Sequence, residues 1–132
     1  MARFGSLKCC PLCPAALQAV QEARVFVVGA GAVGCELLKN YAMLGVGTAK
    51  GGRITVTDPD VIENSNLSRQ FLFRERHLRH PKSVTAAGAA VAMNSALDGR
   101  CFARQDLIHP GAGTHSLKRL KRLKARSWGV AD

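Results

Sequence analysis

Three places along the chain hold residues whose types and spacing suit phosphate chemistry. The first is Gly29-Ala30-Gly31-Ala32-Val33-Gly34, a G-x-G-x-x-G word directly after the apolar run Arg24–Val28. A phosphate held at a strand-to-helix turn needs backbone N–H groups facing it and no side chain in the way. Gly29 allows the tight turn, Gly31 allows the phosphates to approach, and Gly34 lets the helix pack near the strand. The second is Asp58, at the end of Ile54-Thr55-Val56-Thr57 and 24 residues after Gly34. An acid there reaches the ribose hydroxyls of a nucleotide lying across the strand ends. The third is Ser65-Asn66-Leu67-Ser68-Arg69-Gln70, with Lys82 thirteen residues beyond Arg69. Two cations at the mouth of a phosphate site suit a triphosphate under in-line attack, where they neutralise the α-phosphate and the departing pyrophosphate.

Each feature also has a plainer reading. Glycine turns occur as packing devices, Asp58 could cap a turn, and an isolated Arg or Lys is usually a solvated surface residue. Asp60 and Glu63 are equivocal, because either could simply solvate the loop. The order of the segments is what favours a nucleotide site.

The elements that must position these residues follow from pattern. Ala15 to Glu22 suits a short helix with Leu17, Val20 and Gln21 on one side. Arg24–Val28 is β-branched and aromatic without alternation, as expected for a central parallel strand buried on both faces. Val33 to Leu44 reads as a helix with Val33, Leu37, Leu38, Tyr41 and Leu44 at helical spacing, and Gly45 and Gly47 suit its left-handed end. Arg53–Thr57 is the second buried strand, which makes a βαβ unit with a right-handed crossover. Phe71-Leu72-Phe73 is expected to anchor the loop, and Ser83 to about Met93 to form an alanine-rich helix that approaches the sheet closely. Arg100–Ile108 is a third strand candidate, and His109–Gly113 a turn. The fold class is α/β, a Rossmann-like parallel sheet flanked by helices.

At 132 residues, 47% apolar and only 5% aromatic, the chain suits one α/β domain packed by Val, Leu and Ala. No stretch approaches the roughly eighteen apolar residues that cross a bilayer, and Pro11 and Pro14 interrupt the apolar start. An intracellular protein, cytoplasmic or nuclear, is expected, with no membrane partner. Cys9, Cys10 and Cys13 cluster, but no second pair completes a four-ligand zinc site, and Cys35 suits a small buried hydrophobe. The net charge of +10 is uneven, because residues 116–126 hold six of the nineteen cations and no acid. A solvated tail is the first reading there, and nucleic acid binding is not favoured.

Residues 24–94 resemble the nucleotide-binding core of the ubiquitin-activating enzymes and of their bacterial relatives MoeB and ThiF. The resemblance rests on Val28–Asn40, Thr57-Asp58-Pro59-Asp60, Ser65-Asn66-Leu67-Ser68-Arg69-Gln70-Phe71-Leu72-Phe73 and Pro81-Lys82. It is strongest to the second, active adenylation half of enzymes for ubiquitin or a ubiquitin-like modifier. It implies that ATP reacts with the modifier's C-terminal carboxylate to give an acyl-adenylate and pyrophosphate. It places Ala32 against the nucleotide, Asp58 on the ribose, and Asn66, Arg69 and Lys82 on the phosphates, with Arg69 and Lys82 as the catalytic cations. ATP and Mg2+ are the implied cofactors, and ubiquitin or a ubiquitin-like protein and a partner adenylation domain the implied partners. The family's magnesium-binding acid, in an Asp-Asn motif, does not follow Ile108, and the domain bearing the catalytic cysteine has no counterpart. Residues 1–23 and 114–132 match poorly, so the chain reads as an incomplete ThiF-type domain over 24–113, a fragment or variant of something larger that is inactive alone. A non-catalytic pairing module and a nicotinamide-dependent oxidoreductase are the alternatives, the latter weakened by Arg69 and Lys82.

Overall fold

The structure, a computed structural model, describes residues 14–106. The main elements are α1 (Pro14–Glu22), β1 (Arg24–Val28), α2 (Ala32–Leu44), β2 (Arg53–Thr57), α3 (Lys82–Met93) and β3 (Cys101–Arg104). Short 3-10 helices sit at Asn64–Asn66, Glu75–His77 and Ser95–Leu97. The strands form one parallel sheet in the order β1-β2-β3, with Phe26 opposite Thr55 and Thr55 opposite Phe102. The expected adjacent parallel pair is therefore present, and it brings the glycine turn and Asp58 to the same end of the sheet. The third strand is also present, but it ends at Arg104, short of the expected Ile108. The N-terminal cysteines, the turn at 109–113 and the basic tail lie outside the described residues.

One core joins Val27, Cys35, Leu38, Ala42, Ile54, Val56, Ala86 and Ala90 with Leu72 and Phe73. Burying Leu72 and Phe73 pins the segment between β2 and α3, so the loop that carries Asn66 and Arg69 is held from its far end as the sequence suggests. In α3 the inward residues are Ser83, Ala86, Ala87 and Ala90, small enough for the helix to lie close on α2 and the sheet. Left-handed Gly45 caps α2, with φ of 74°, a backbone region where glycine carries no steric penalty.

Two expectations change. Among the described residues β1 is an edge strand, exposed at Arg24 and Val28, whereas β2 is the central one and is buried from Ile54 to Thr57. The apolar run in β1 thus marks a strand with one side uncovered in this part of the fold. The second change concerns α2, where the inward face is Gly34, Cys35, Leu38 and Ala42, while Val33, Leu37 and Leu44 are exposed. The smaller residues face inward because the helix starts too close to β1 for a large side chain. In α1 no residue is buried, with Leu17 and Gln21 half-buried and Val20 exposed.

Candidate nucleotide site

The site begins at the glycine turn. Gly29 has a φ of 91°, a conformation that L side chains rarely adopt. Its N–H donates to the Thr57 carbonyl at 2.8 Å, which extends the β1–β2 ladder one residue past the strand. A Cβ on Gly34 would lie 2.0 Å from the Gly29 carbonyl oxygen, so only glycine lets α2 start this near the strand. Gly31 differs: a Cβ there meets nothing within 4 Å. Its backbone opens onto free space in front of the first turn of α2, where Ala32 is the first helical residue. A cradle of bare backbone at a helix N-terminus is the arrangement that phosphate oxygens require.

Asp58 is buried at the carboxyl end of β2, and both its carboxylate oxygens accept backbone hydrogen bonds. Oδ2 takes the Ala30 N–H at 2.7 Å and Oδ1 takes the Asp60 N–H at 2.9 Å. Its own N–H donates to the Arg104 carbonyl at 3.1 Å, so the acid is braced from β3 as well. Asp58 therefore ties the glycine turn to the loop that follows β2. A carboxylate has about four acceptor sites, so two remain for hydroxyls lying across the strand ends.

Lys82 opens α3 and is buried; its N–H donates to the Asp60 carbonyl at 3.0 Å and its ammonium lies 3.1 Å from Asp60 Oδ2. An antiparallel bridge between Val61 and Pro81 holds these two segments side by side. A bonded path thus runs from Ala30 through Asp58 and Asp60 to Lys82, joining three of the motifs that the sequence singled out. Asp60, equivocal in the sequence, is the link, and its position two residues after Asp58 was the available signal.

Asn66 and Arg69 sit on the turn after β2. Asn66 is buried and its Oδ1 accepts the Glu63 N–H at 2.9 Å, closing the turn on itself. Arg69 is exposed and its guanidinium donates to the Ser65 carbonyl at 2.9 Å. The bonds of both are local to this turn, and neither shares a hydrogen bond with the glycine turn. Directly after Arg69 and Lys82, two buried polar atoms, Gln70 Oε1 and Ser83 Oγ, have no partner among the described residues. Cys35, fully buried in α2, has its thiol pushed up to about 11 by burial and donates to the Ala30 carbonyl at 3.6 Å. It packs under the turn, as expected for a small hydrophobe.

The residues present fit a nucleotide di- or triphosphate: bare backbone at Gly31, a buried acid at the carboxyl end of β2 and a buried cation tied to it through Asp60. They fit magnesium less directly. Among the described residues no group of three or more His, Cys, Asp or Glu could hold a metal, so such an ion would need phosphate oxygens among its ligands.

The pattern of the ThiF family matches residues 6–122. The chain belongs to the ThiF family. It is 56% identical over 97 residues to human ubiquitin-like modifier-activating enzyme 6, covering 70% of this chain and 9% of that protein. It is 60% identical over 79 residues to ubiquitin-activating enzyme E1 2 of Arabidopsis thaliana, covering 60% of this chain and 7% of that one. The ThiF-type fold is equally clear in solved structures. E. coli MccB with ATP matches with a TM-score of 0.68 at 25% identity, over 79% of this chain and 28% of that one. E. coli TcdA, a tRNA N6-threonylcarbamoyladenosine dehydratase solved with ATP, matches with a TM-score of 0.65 at 25% identity, over 78% of this chain and 40% of that one. This ThiF chain thus spans under a tenth of the two modifier-activating enzymes.

Proposed function

We propose that this ThiF domain binds ATP in the crevice at the carboxyl ends of its parallel strands, as part of the adenylation of a ubiquitin-like modifier. The observation that carries the reading is the Asp58 carboxylate holding the Ala30 N–H at 2.7 Å, which sets the ribose-binding acid against the phosphate turn. Open α/β sheets bind ligands at that end. The nucleotide lies with its ribose on Asp58 and its phosphates between Gly31, Ala32, Arg69 and Lys82, with Asn66 shaping the rim and contributing to phosphate binding. In the reaction a carboxylate oxygen of the modifier attacks the α-phosphate and pyrophosphate leaves. Arg69 and Lys82 offset the charge that builds on both groups. Mg2+ supplies further charge neutralisation when bound with the nucleotide. Adenylate formation and thioester transfer need parts beyond these 132 residues, and the chain alone binds without turning over. The setting proposed is the cytoplasm or nucleus.

Calorimetric titration of the full chain with ATP, and with NAD as comparison, tests this. ATP should bind and NAD should not, and Arg69→Ala and Lys82→Ala should weaken ATP more than adenosine. Unchanged ATP affinity in both variants would remove the phosphate assignment.

A second reading is favoured by one observation. Val28, Val33 and Leu37 are exposed apolar side chains, and among the described residues β1 is an edge strand. That surface suits a module that pairs with another adenylation domain and regulates it without catalysis. Modifier-dependent pyrophosphate exchange appearing only on mixing with such a domain would separate the two.

A further inference from the structure

We propose that Asp60 is the counter-ion that holds the Lys82 ammonium in the ligand-free protein and yields it to an incoming phosphate, so that it sets the affinity of the site for polyphosphates through Lys82. The inference rests on the nucleotide reading above and deepens it.

The two partners are unequal. The Lys82 side chain is only 10% exposed, whereas that of Asp60 is 64% exposed. An ammonium at such depth needs a fixed partner, because burial strips the water that would otherwise solvate it. An exposed carboxylate can release it cheaply, since water replaces the lost contact. The pair is therefore built to exchange: the cation is captive and its anion is not.

The backbone makes the exchange local. The Lys82 N–H to Asp60 carbonyl bond, the Val61–Pro81 bridge and the Asp60 N–H to Asp58 bond hold the two residues in place. None of these uses the Asp60 carboxylate. Removing its charge leaves the scaffold intact and changes only what the ammonium faces. A phosphate reaching Lys82 must then compete with Asp60 for the same donors and lie near a second negative charge. Asp60 thus keeps Lys82 oriented at a cost in affinity for anions.

The test uses the full chain with Asp60→Asn, Lys82→Met and the double variant. In EDTA, Asp60→Asn should bind ATP roughly two- to fivefold tighter than the parent, the worth of one exposed ion pair. Adenosine affinity should not change. In the Lys82→Met background the Asp60→Asn gain should vanish, because the effect passes through the lysine. An equal gain in both backgrounds would show direct repulsion of phosphate and overturn the proposal. So would an unchanged ATP affinity, or a loss seen only with Mg2+, which would make Asp60 a metal ligand. Lysine Nζ resonances of the ligand-free chain give an independent readout. The parent should show a slowly exchanging Lys82 ammonium that Asp60→Asn abolishes, and its absence in the parent overturns the ion pair whether or not ATP binds. A parent that shows it but fails to bind ATP overturns the nucleotide reading, and the exchange with it, while the ion pair stands.

Discussion

Two alanine substitutions, at Gly34 and at Gly31, separate packing from ligand binding at the glycine turn. In Gly34→Ala the new Cβ would lie 2.0 Å from the Gly29 carbonyl oxygen and 3.0 Å from its carbon. Ordinary contact begins near 3.4 Å, so α2 and the turn must separate by about 1.4 Å (3.4 − 2.0). Gly29 cannot give easily, because its N–H is held on Thr57 and Ala30 is held on Asp58. Overpacking of this kind costs about 1–3 kcal/mol, which for a domain of this size lowers Tm by roughly 4 °C per kcal/mol. Gly31→Ala meets nothing within 4 Å, and its φ of −77° suits any residue. Its stability should stay within about 0.5 kcal/mol of the parent, since lost chain entropy and a slightly poorer helix cap offset one another. On the proposed reading, however, its methyl group occupies the space where phosphates approach. The assay is thermal unfolding beside calorimetric ATP titration of both variants. Gly34→Ala should lose stability and binding together, and Gly31→Ala should lose binding alone. A Gly31→Ala chain that binds ATP like the parent would refute the phosphate cradle, and a Gly34→Ala chain that melts like the parent would refute the close approach.

Asp58→Ala strips acceptors from the Ala30 and Asp60 N–H groups; it should cost about 2–3 kcal/mol of stability and weaken ATP by a further 1–3 kcal/mol, read by denaturant unfolding and titration. Cys35 and Cys101, both pushed up to about 11 by burial, should stay unmodified by iodoacetamide at pH 8 in the folded chain, as mapped by mass spectrometry. His77 is held below its ordinary 6.5 first by desolvation and then by Arg76, His80 and Arg74, so the unfolded chain binds its proton first. The stability contributed by neutral His77 is full above about pH 6.5 and falls as pH drops from there toward the folded value. Because Nδ1 accepts the Arg74 N–H at 3.1 Å, hydrogen exchange at residues 74–80 should quicken at pH 5.5 relative to pH 7.5, and less so in His77→Asn.

Much of the fold was legible because it rests on steric absolutes. A G-x-G-x-x-G word between an apolar strand and an amphipathic helix has few structural solutions, and the placement of Gly29 and Gly34 follows from their missing Cβ atoms. The position of Asp58 followed from strand length alone, since β2 ends at Thr57. The inward face of α2 was not legible for a related reason. Val33, Leu37 and Leu44 carry more apolar surface than Gly34, Cys35 and Ala42, so periodicity weighted by hydrophobicity turns the expected face aside, although Leu38 and Tyr41 do pack on the core as their spacing suggests. The close contact at Gly34 reverses that weight, because distance to the strand selects small residues before it selects apolar ones.

The edge position of β1 has the same character. An uninterrupted apolar strand reads as covered on both faces, and whether a neighbour lies beside it depends on chain far away in sequence. Val28 at the end of β1 and Val33 and Leu37 on α2 are all exposed, on the two elements that the glycine turn joins. A partner packing there would meet the turn between β1 and α2. On the proposed reading, binding at this surface and binding of phosphate meet at a segment six residues long, Gly29 to Gly34. Asp58 braces that segment through the Ala30 N–H, and Asp60 links Asp58 to Lys82. On the proposed nucleotide reading the ion pair and the glycine turn answer to the same occupant, so variants at Asp60 and Gly31 should report on one site although the sequence sets them 29 residues apart.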